Sequence, residues 1–559
     1  MKRIVLFLII AGIAFTGCKQ QGSYDIVIKN AMIYDGNGGE PFKGDVAIKN
    51  DTIAFVGDLK DASAKEVIDA KGMAVAPGFI NMLSWATETL IQDGRSLSDI
   101  KQGVTLEVMG EGESMGPLTP AMKEQARQGQ GDIKYAISWN TLGEYLNFLQ
   151  QKGISCNVAS FIGATTVRRC VIGEDNREPA PAELDSMRGL VRQAMEEGAL
   201  GVGSSLIYPP AFFAKTDELV ALCQEAAKYN GSYISHMRSE GTQLLEAVEE
   251  LLEIAKRAHI HAEIYHLKAA GKDNWHKMDS VIKRIERARA EGLNITADMY
   301  NYIAGGTGLT ATMPPALQDG GFGNLRTRLQ DAAIRRQLVK DMNTATNQWE
   351  NFYRAAGSPD KILLVGFRQD SLKKYTGKSL AAIAALRGTS PEETAMDLIV
   401  QDSSRIECIY FLMDENNLRK QLPLLWLSFG SDEGSYTPEG IFLQSNCHPR
   451  AYGNFSRLLG KYVREEKIIP LWEAIRKLTK LPATNLKLYK RGELTPGYYA
   501  DVVIFDPATI QDHATFEKPH QLATGMIHVF VNGVQVLKNG EHTGATPGRF
   551  VKGPGYKDF

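Results

Sequence analysis

The sequence predicts a (β/α)8 TIM barrel with an inserted subdomain, plus a small β-sandwich built from both ends of the 559-residue chain. Three observations carry this. Apolar strand-like runs alternate with amphipathic helical patterns through the middle of the chain, as in a parallel sheet wrapped by helices. Eight such runs occur, the number that closes a barrel. Both termini are instead rich in short alternating strands with turn punctuation.

The N-terminal strands read as Asp25–Ile28, Asp45–Ile48 and Thr52–Val56, with turns at Asn37-Gly38-Gly39 and Asn50-Asp51. The C-terminal strands read as Ala500–Phe505 and His528–Val536, the latter broken by Asn532-Gly533, a strong hairpin signal. The barrel strands are expected at Met73–Ile80, Thr105–Met109, Asn157–Phe161, Leu200–Val202, Ser232–Ser235, Ala262–Tyr265, Asn294–Ala297 and Leu424–Phe429. Helical segments such as Thr242–Ala258 and Lys277–Glu291 space their apolar residues by three and four. The interval 303–422 is too long for a loop and is expected to be a subdomain over the barrel mouth. The expected organisation is a leader at 1–18, sandwich segments at 19–76 and 485–559, and the barrel at 77–484.

Lys2 and Arg3, then an apolar run from Ile4 to Ala14, form a processing signal. Phe15-Thr16-Gly17-Cys18 resembles a bacterial lipobox, which implies lipidation at Cys18 and a lipoprotein anchored in the cell envelope, facing the periplasm. An ordinary secretory signal peptide is the alternative. The formal net charge is −2, from 63 basic and 65 acidic residues without long runs, which argues against a nucleic-acid partner. The other five cysteines show no CxxC pair; Cys156 and Cys170 are the one pairing considered.

Barrel active sites lie at the C-terminal ends of the strands. Along that edge stand Glu111 and Glu113 after strand 2, Tyr208 after strand 4, and His236 after strand 5. His266 and Lys268 follow strand 6, Tyr300 and Tyr302 strand 7, and Asp432 strand 8. Two imidazoles and a carboxylate on one rim form a donor set that zinc accepts while keeping a position for water. His259-Ile260-His261 precedes strand 6, so His261 belongs to the opposite rim. Gly305-Gly306-Thr307-Gly308 lacks the lysine and context of a phosphate loop, and no Gly-x-Ser-x-Gly elbow occurs.

Longer runs carry a family resemblance. They are Gly198–Pro210 (GALGVGSSLIYPP), Ser235–Gly241 (SHMRSEG), His266-Leu-Lys268, Thr296–Tyr302 (TADMYNY), Ser431-Asp432 and His448–Phe455 (HPRAYGNF). Pro496–Pro507 and Gly540–Gly548 extend the match almost to the end of the chain. The chain resembles the D-aminoacylase (N-acyl-D-amino-acid deacylase) branch of the amidohydrolase superfamily. The resemblance implies hydrolysis of N-acyl-D-amino acids by a zinc-activated water. His236 and His266 match two ligands of the tightly held metal. Glu111 falls where the third ligand is commonly cysteine, with Glu113 the alternative. Asp432 matches the proton-transferring aspartate, and Arg450, Lys268, Tyr208 and Tyr300 the groups that bind substrate.

One departure stands out. The family carries His-x-His after strand 1, whereas this chain has Leu83 and Trp85, neither of which can ligate a cation. A single zinc is therefore expected, with Trp85 forming an apolar wall for the acyl chain. The alternative among hydrolases is a dipeptidase or cyclic-amide hydrolase that uses the same water but another pocket. An inactive ligand-binding lipoprotein is the reading that the lost pair would favour.

Overall fold

The computed structural model describes residues 24–60 and 63–557. The predicted leader and Cys18 lie outside them. Eight parallel strands close the barrel: Phe79–Asn81, Val104–Met109, Asn157–Ser160 (continued at Ile162–Gly163), Gly201–Ser205, Ser232–His236, His261–Ile264, Ile295–Met299 and Leu427–Phe429. The last strand returns to the first through Met82 N–H, which donates to the Phe429 carbonyl at 3.1 Å. Beyond it, Ser84 bridges Glu433 in parallel register. Alternation along each strand divides the core. Ile80, Leu106, Val108, Phe161, Ile234 and Tyr265 fill the barrel interior. Their neighbours Phe79, Met109, Val158 and Tyr233, with Val202 on strand 4, face the helices.

The strand expected over Met73–Ile80 is two strands. Ala74–Pro77 pairs with Val502–Phe505 in the terminal sheet, and Phe79–Asn81 opens the barrel. The chain changes sheets at Gly78, where a Cβ would lie 2.1 Å from Thr105 Oγ1. Strand 8 is also shorter than expected, covering only Leu427–Phe429.

Five strands from the N-terminal region and four from the C-terminal region form one nine-stranded sheet. Its two faces serve two cores. Ile26, Ile28, Val75, Val502, Ile504 and Phe530 pack together on one side. Ala74, Ala76, Val503, Phe505, Val529 and Val531, one residue out of phase, join the barrel's main core. Asn532 (φ 48°) and Gly533 (φ 78°) make the two-residue hairpin turn expected of that doublet.

Between strands 7 and 8 the chain forms helices and an antiparallel four-stranded sheet, in the order Ala304–Gly308, Glu407–Phe411, Ile362–Gly366, Lys378–Ser379. The helices accord with the expected insert. The sheet was not foreseen; its edge strand Ala-Gly-Gly-Thr-Gly is mostly glycine and of low strand propensity. All five cysteines within the described residues are free, so Cys156 and Cys170 do not pair. No described helix is long and apolar enough to cross a membrane.

Candidate metal centre and substrate cavity

Strand 2 ends at Met109, and Gly110 (φ +108°) then turns the chain across the barrel mouth. A Cβ at Gly110 would sit 2.4 Å from the Phe161 carbonyl oxygen, so only glycine allows this crossing. The turn delivers Glu111 to the barrel axis. His236 is the last residue of strand 5. His266 follows strand 6 in a left-handed conformation (φ 37°), its N–H donating to Asp298 Oδ1 at 2.8 Å. Such backbone strain in a non-glycine residue is typical of functional sites.

The three side chains meet. Glu111 Oε1 stands 2.9 Å from both His236 Nδ1 and His266 Nε2, and those nitrogens are 3.0 Å apart. All three residues are buried. The alternative, Glu113, also reaches the cavity wall, but its half-exposed carboxylate pairs with Arg169 at 2.9 Å. Two nitrogens and one carboxylate oxygen converging at this spacing are a donor set zinc accepts, so the residues fit such an ion.

Charge supports the fit. Burial would raise the Glu111 carboxyl, yet the two imidazoles hold it well below the usual carboxylate range. Burial and Lys268 act to lower the His266 imidazole, but Glu111 and Glu240 outweigh them and lift it to about 10. Glu111 and Glu240 thus create a field that favours positive charge at the imidazoles, which a cation would supply in place of the proton.

Glu240 escaped the sequence reading. Its Oε1 lies 3.1 Å from His266 Nδ1, and its Oε2 lies 3.7 Å from His236 Nε2. One carboxylate thus stands behind both imidazoles, the arrangement that orients metal-ligating histidines. The available signal was its place four residues after His236 in the Ser235–Gly241 run. The insert anchors it in turn: Glu350 Oε2 accepts from Ser239 Oγ at 2.6 Å and from Glu240 N–H at 3.1 Å. Lys268, expected to meet substrate, lines the cavity, but its ammonium also donates to Glu240 Oε1 (2.6 Å) and lies 2.8 Å from His266 Nδ1.

The opposite side of the mouth joins strands 1 and 8. Asp432 N–H donates to the Leu83 carbonyl at 2.8 Å, and Trp85 N–H to the Glu433 carbonyl at 2.9 Å. Asp432 takes a left-handed φ of 53°, which aspartate tolerates better than most residues. Burial, opposed by Arg450, raises its carboxyl above the usual range. Leu83 is fully buried in the barrel interior. Trp85 corrects the expectation of a purely apolar wall. Its indole N–H donates to Glu111 Oε2 at 3.0 Å and to Asp432 Oδ1 at 3.1 Å, so one polar hydrogen spans both carboxylates.

These groups border one cavity of about 340 Å³, together with Arg450, Tyr208 and Tyr300. Arg450 opens the helix Arg450–Arg457 and is almost fully buried. Its Nη2 donates to the Asp432 carbonyl at 2.7 Å, and its guanidinium lies 4.2 Å from the centre of the Tyr300 ring. Nη1 stands 2.9 Å from Asp432 Oδ2 but off the hydrogen-bonding line, leaving Nε–H and Nη1–H unspent. The insert's Gly306 explains how its strand covers this group, since a Cβ there would lie 3.1 Å from Arg450 Nη2. Arg405, another residue not foreseen, stacks 5.5 Å over Tyr208. Tyr302 is turned elsewhere, against His448 and Phe516. His261 lies on the far rim, held by Ser232 Oγ (3.2 Å) and Thr296 Oγ1 (2.8 Å).

The amidohydrolase family pattern matches residues 66–537. The chain is 30% identical to a D-aminoacylase from Alcaligenes xylosoxydans xylosoxydans, covering 94% of this chain and 97% of that protein. A D-aminoacylase structure addressing the functional role of its binuclear metal centre superimposes with a TM-score of 0.78 at 30% identity, covering 95% of this chain and all of the other. The N-acyl-D-glutamate deacylase of Bordetella bronchiseptica, solved with zinc and a phosphonate mimic of the tetrahedral intermediate, does so with a TM-score of 0.78 at 27% identity and the same coverage. The chain thus belongs to the amidohydrolase family, on its D-aminoacylase branch.

Proposed function

We propose that this protein hydrolyses the amide bond of N-acyl-D-amino acids at a single zinc ion, releasing a carboxylic acid and a D-amino acid. The observation that carries this reading is the convergence of Glu111, His236 and His266 in a cavity also bordered by Asp432 and Arg450. Similarity to D-aminoacylase supplies the reaction class. The single ion rests on Leu83 being packed in apolar core and Trp85 placing an N–H between Glu111 and Asp432.

Zinc bound by Glu111, His236 and His266 would supply Lewis acidity and lower the pKa of its water toward neutrality. The chain's own groups do the rest. Asp432 accepts the proton of the attacking water and returns it to the departing amine. Its raised carboxyl range suits a group that must both take and give. Trp85 N–H and Arg450 hold that carboxylate in place. Arg450 and Lys268, the cations beside Asp432 in the cavity lining, receive the substrate's free carboxylate. Tyr300 and Tyr208 wall the site.

Metal analysis of the purified protein, paired with turnover of N-acetyl-D- and N-acetyl-L-amino acids, tests this. About one zinc per chain with release of D-amino acid is expected. A metal-free protein that binds acyl amino acids without turnover would establish the ligand-binding lipoprotein instead. Cleavage only of dipeptides or cyclic amides would select the other hydrolase reading.

We further propose that the mature chain is anchored by lipid at Cys18, facing the periplasm. The motif Phe15–Cys18 after a basic and apolar leader supports this. Labelled fatty acid should enter the wild type and not Cys18→Ala.

A further inference from the structure

Beside the metal-site cavity, a second depression of about 480 Å³ runs along the barrel mouth. Trp85, Tyr436 and Cys447 border both, so the two form one continuous cleft. Their charges differ. Lys268, Arg405 and Arg450 line the cavity among six carboxylates, whereas no lysine or arginine among the described residues lines the groove. Glu88 and Asp132 stand along the groove, and Glu113 and Glu407 border both. Its apolar surface comes from Met115, Ile133, Ile441 and Phe442, with Tyr436 edge-on to Phe442 at 5.6 Å.

Trp85 sits at the junction. Its N–H is committed to Glu111 and Asp432, yet the residue is 38% exposed. An amide substrate crossing this point has two unlike halves. Its carboxylate finds a cationic partner only in the cavity, at Arg450, Lys268 or Arg405, which directs the acyl half past Trp85 toward the groove. A cavity of about 340 Å³ is already enough for an N-acetyl amino acid, since pockets of roughly 300–1,000 Å³ bury whole drug-sized ligands. The groove is space such a substrate would leave unused.

We propose that this groove is an acyl subsite, receiving acyl groups larger than acetyl that are apolar or aromatic and carry no negative charge. The proposal rests on the deacylase reading above and narrows its substrate class. Each methylene buried there is worth up to about fourfold in kcat/KM.

The test compares N-acetyl, N-hexanoyl, N-phenylacetyl and N-succinyl derivatives of one D-amino acid on the zinc-loaded protein. Hexanoyl and phenylacetyl substrates should exceed acetyl by about tenfold or more in kcat/KM, chiefly through KM, while succinyl shows no gain. Ile133→Trp, which narrows the groove, should lower the phenylacetyl-to-acetyl ratio about fivefold or more. Phe442→Ala, which removes a wall without adding bulk, should lower it as well. Equal kcat/KM for acetyl and phenylacetyl in the wild type would overturn the subsite and leave the deacylase reading standing. So would a ratio unmoved by both variants. Failure to hydrolyse any of the four would overturn both.

Discussion

The two halves of the barrel mouth solve the same electrostatic problem differently. On the strand 5 and 6 side, two imidazoles face Glu111 and are backed by Glu240. On the strand 1 and 8 side stand Leu83 and Trp85, neither of which can ligate a cation, and a neutral N–H spans the carboxylates. A cation can satisfy several carboxylates at once, while an indole hydrogen is shared between two at most. The second half can therefore position charge, but a neutral hydrogen cannot supply the Lewis acidity proposed for the first.

The sharpest way to break this contrast is Glu111→Ala. It should remove bound zinc and lower kcat/KM by about 10³-fold or more, the equivalent of several kcal/mol. Metal content and turnover measured together check it, and an active Glu111→Ala enzyme would end the metal assignment. Glu240→Gln keeps the shape and removes the charge behind both imidazoles. It should weaken zinc affinity by about 10- to 100-fold, read by competition with a chelator.

Trp85→Phe addresses the other half, keeping the ring and deleting the N–H. Loss of one hydrogen bond to a charged acceptor should cost about tenfold in kcat/KM. The pH profile gives a second readout. The N–H favours the ionised form of Asp432, so its removal raises that carboxyl further and moves the acid limb of activity to higher pH. In the wild type, burial already places this limb above the ordinary carboxylate value of about 4. An acid limb unmoved by Trp85→Phe would show that the indole serves packing alone.

The far rim provides the smallest effect and a control. Burial holds His261 neutral, with its pKa lowered to about 3 from 6.5. The unfolded chain therefore binds a proton that the folded chain refuses between those values. Stability contributed by neutral His261 is complete above about pH 6.5 and is lost as pH falls toward 3. His261→Gln should reduce the acid-side fall in Tm, while zinc content at pH 7 stays that of the wild type.

Much of this was legible in the chain. The barrel strands announced themselves as apolar runs between amphipathic helices, and Asn532-Gly533 marked its own hairpin. His236, His266, Glu111 and Asp432 could be found because strand ends project to one rim, a consequence of local geometry. Glu240 could not be ranked above any other loop acid, since its role depends on two imidazoles arriving from different strands. Glu113 and Glu111 were separable only once Arg169 was seen to claim the former. The insert's sheet was hidden because its first strand is mostly glycine.

What the sequence determined alone is the periodicity of its elements and the non-ligating side chains at positions 83 and 85, both written in residue type. What tertiary structure decided is where polar hydrogens point. Trp85 was readable as an apolar ring, but the direction of its N–H follows from the closure of strand 1 on strand 8. That closure is a contact between residues nearly 350 positions apart, and no local pattern encodes it.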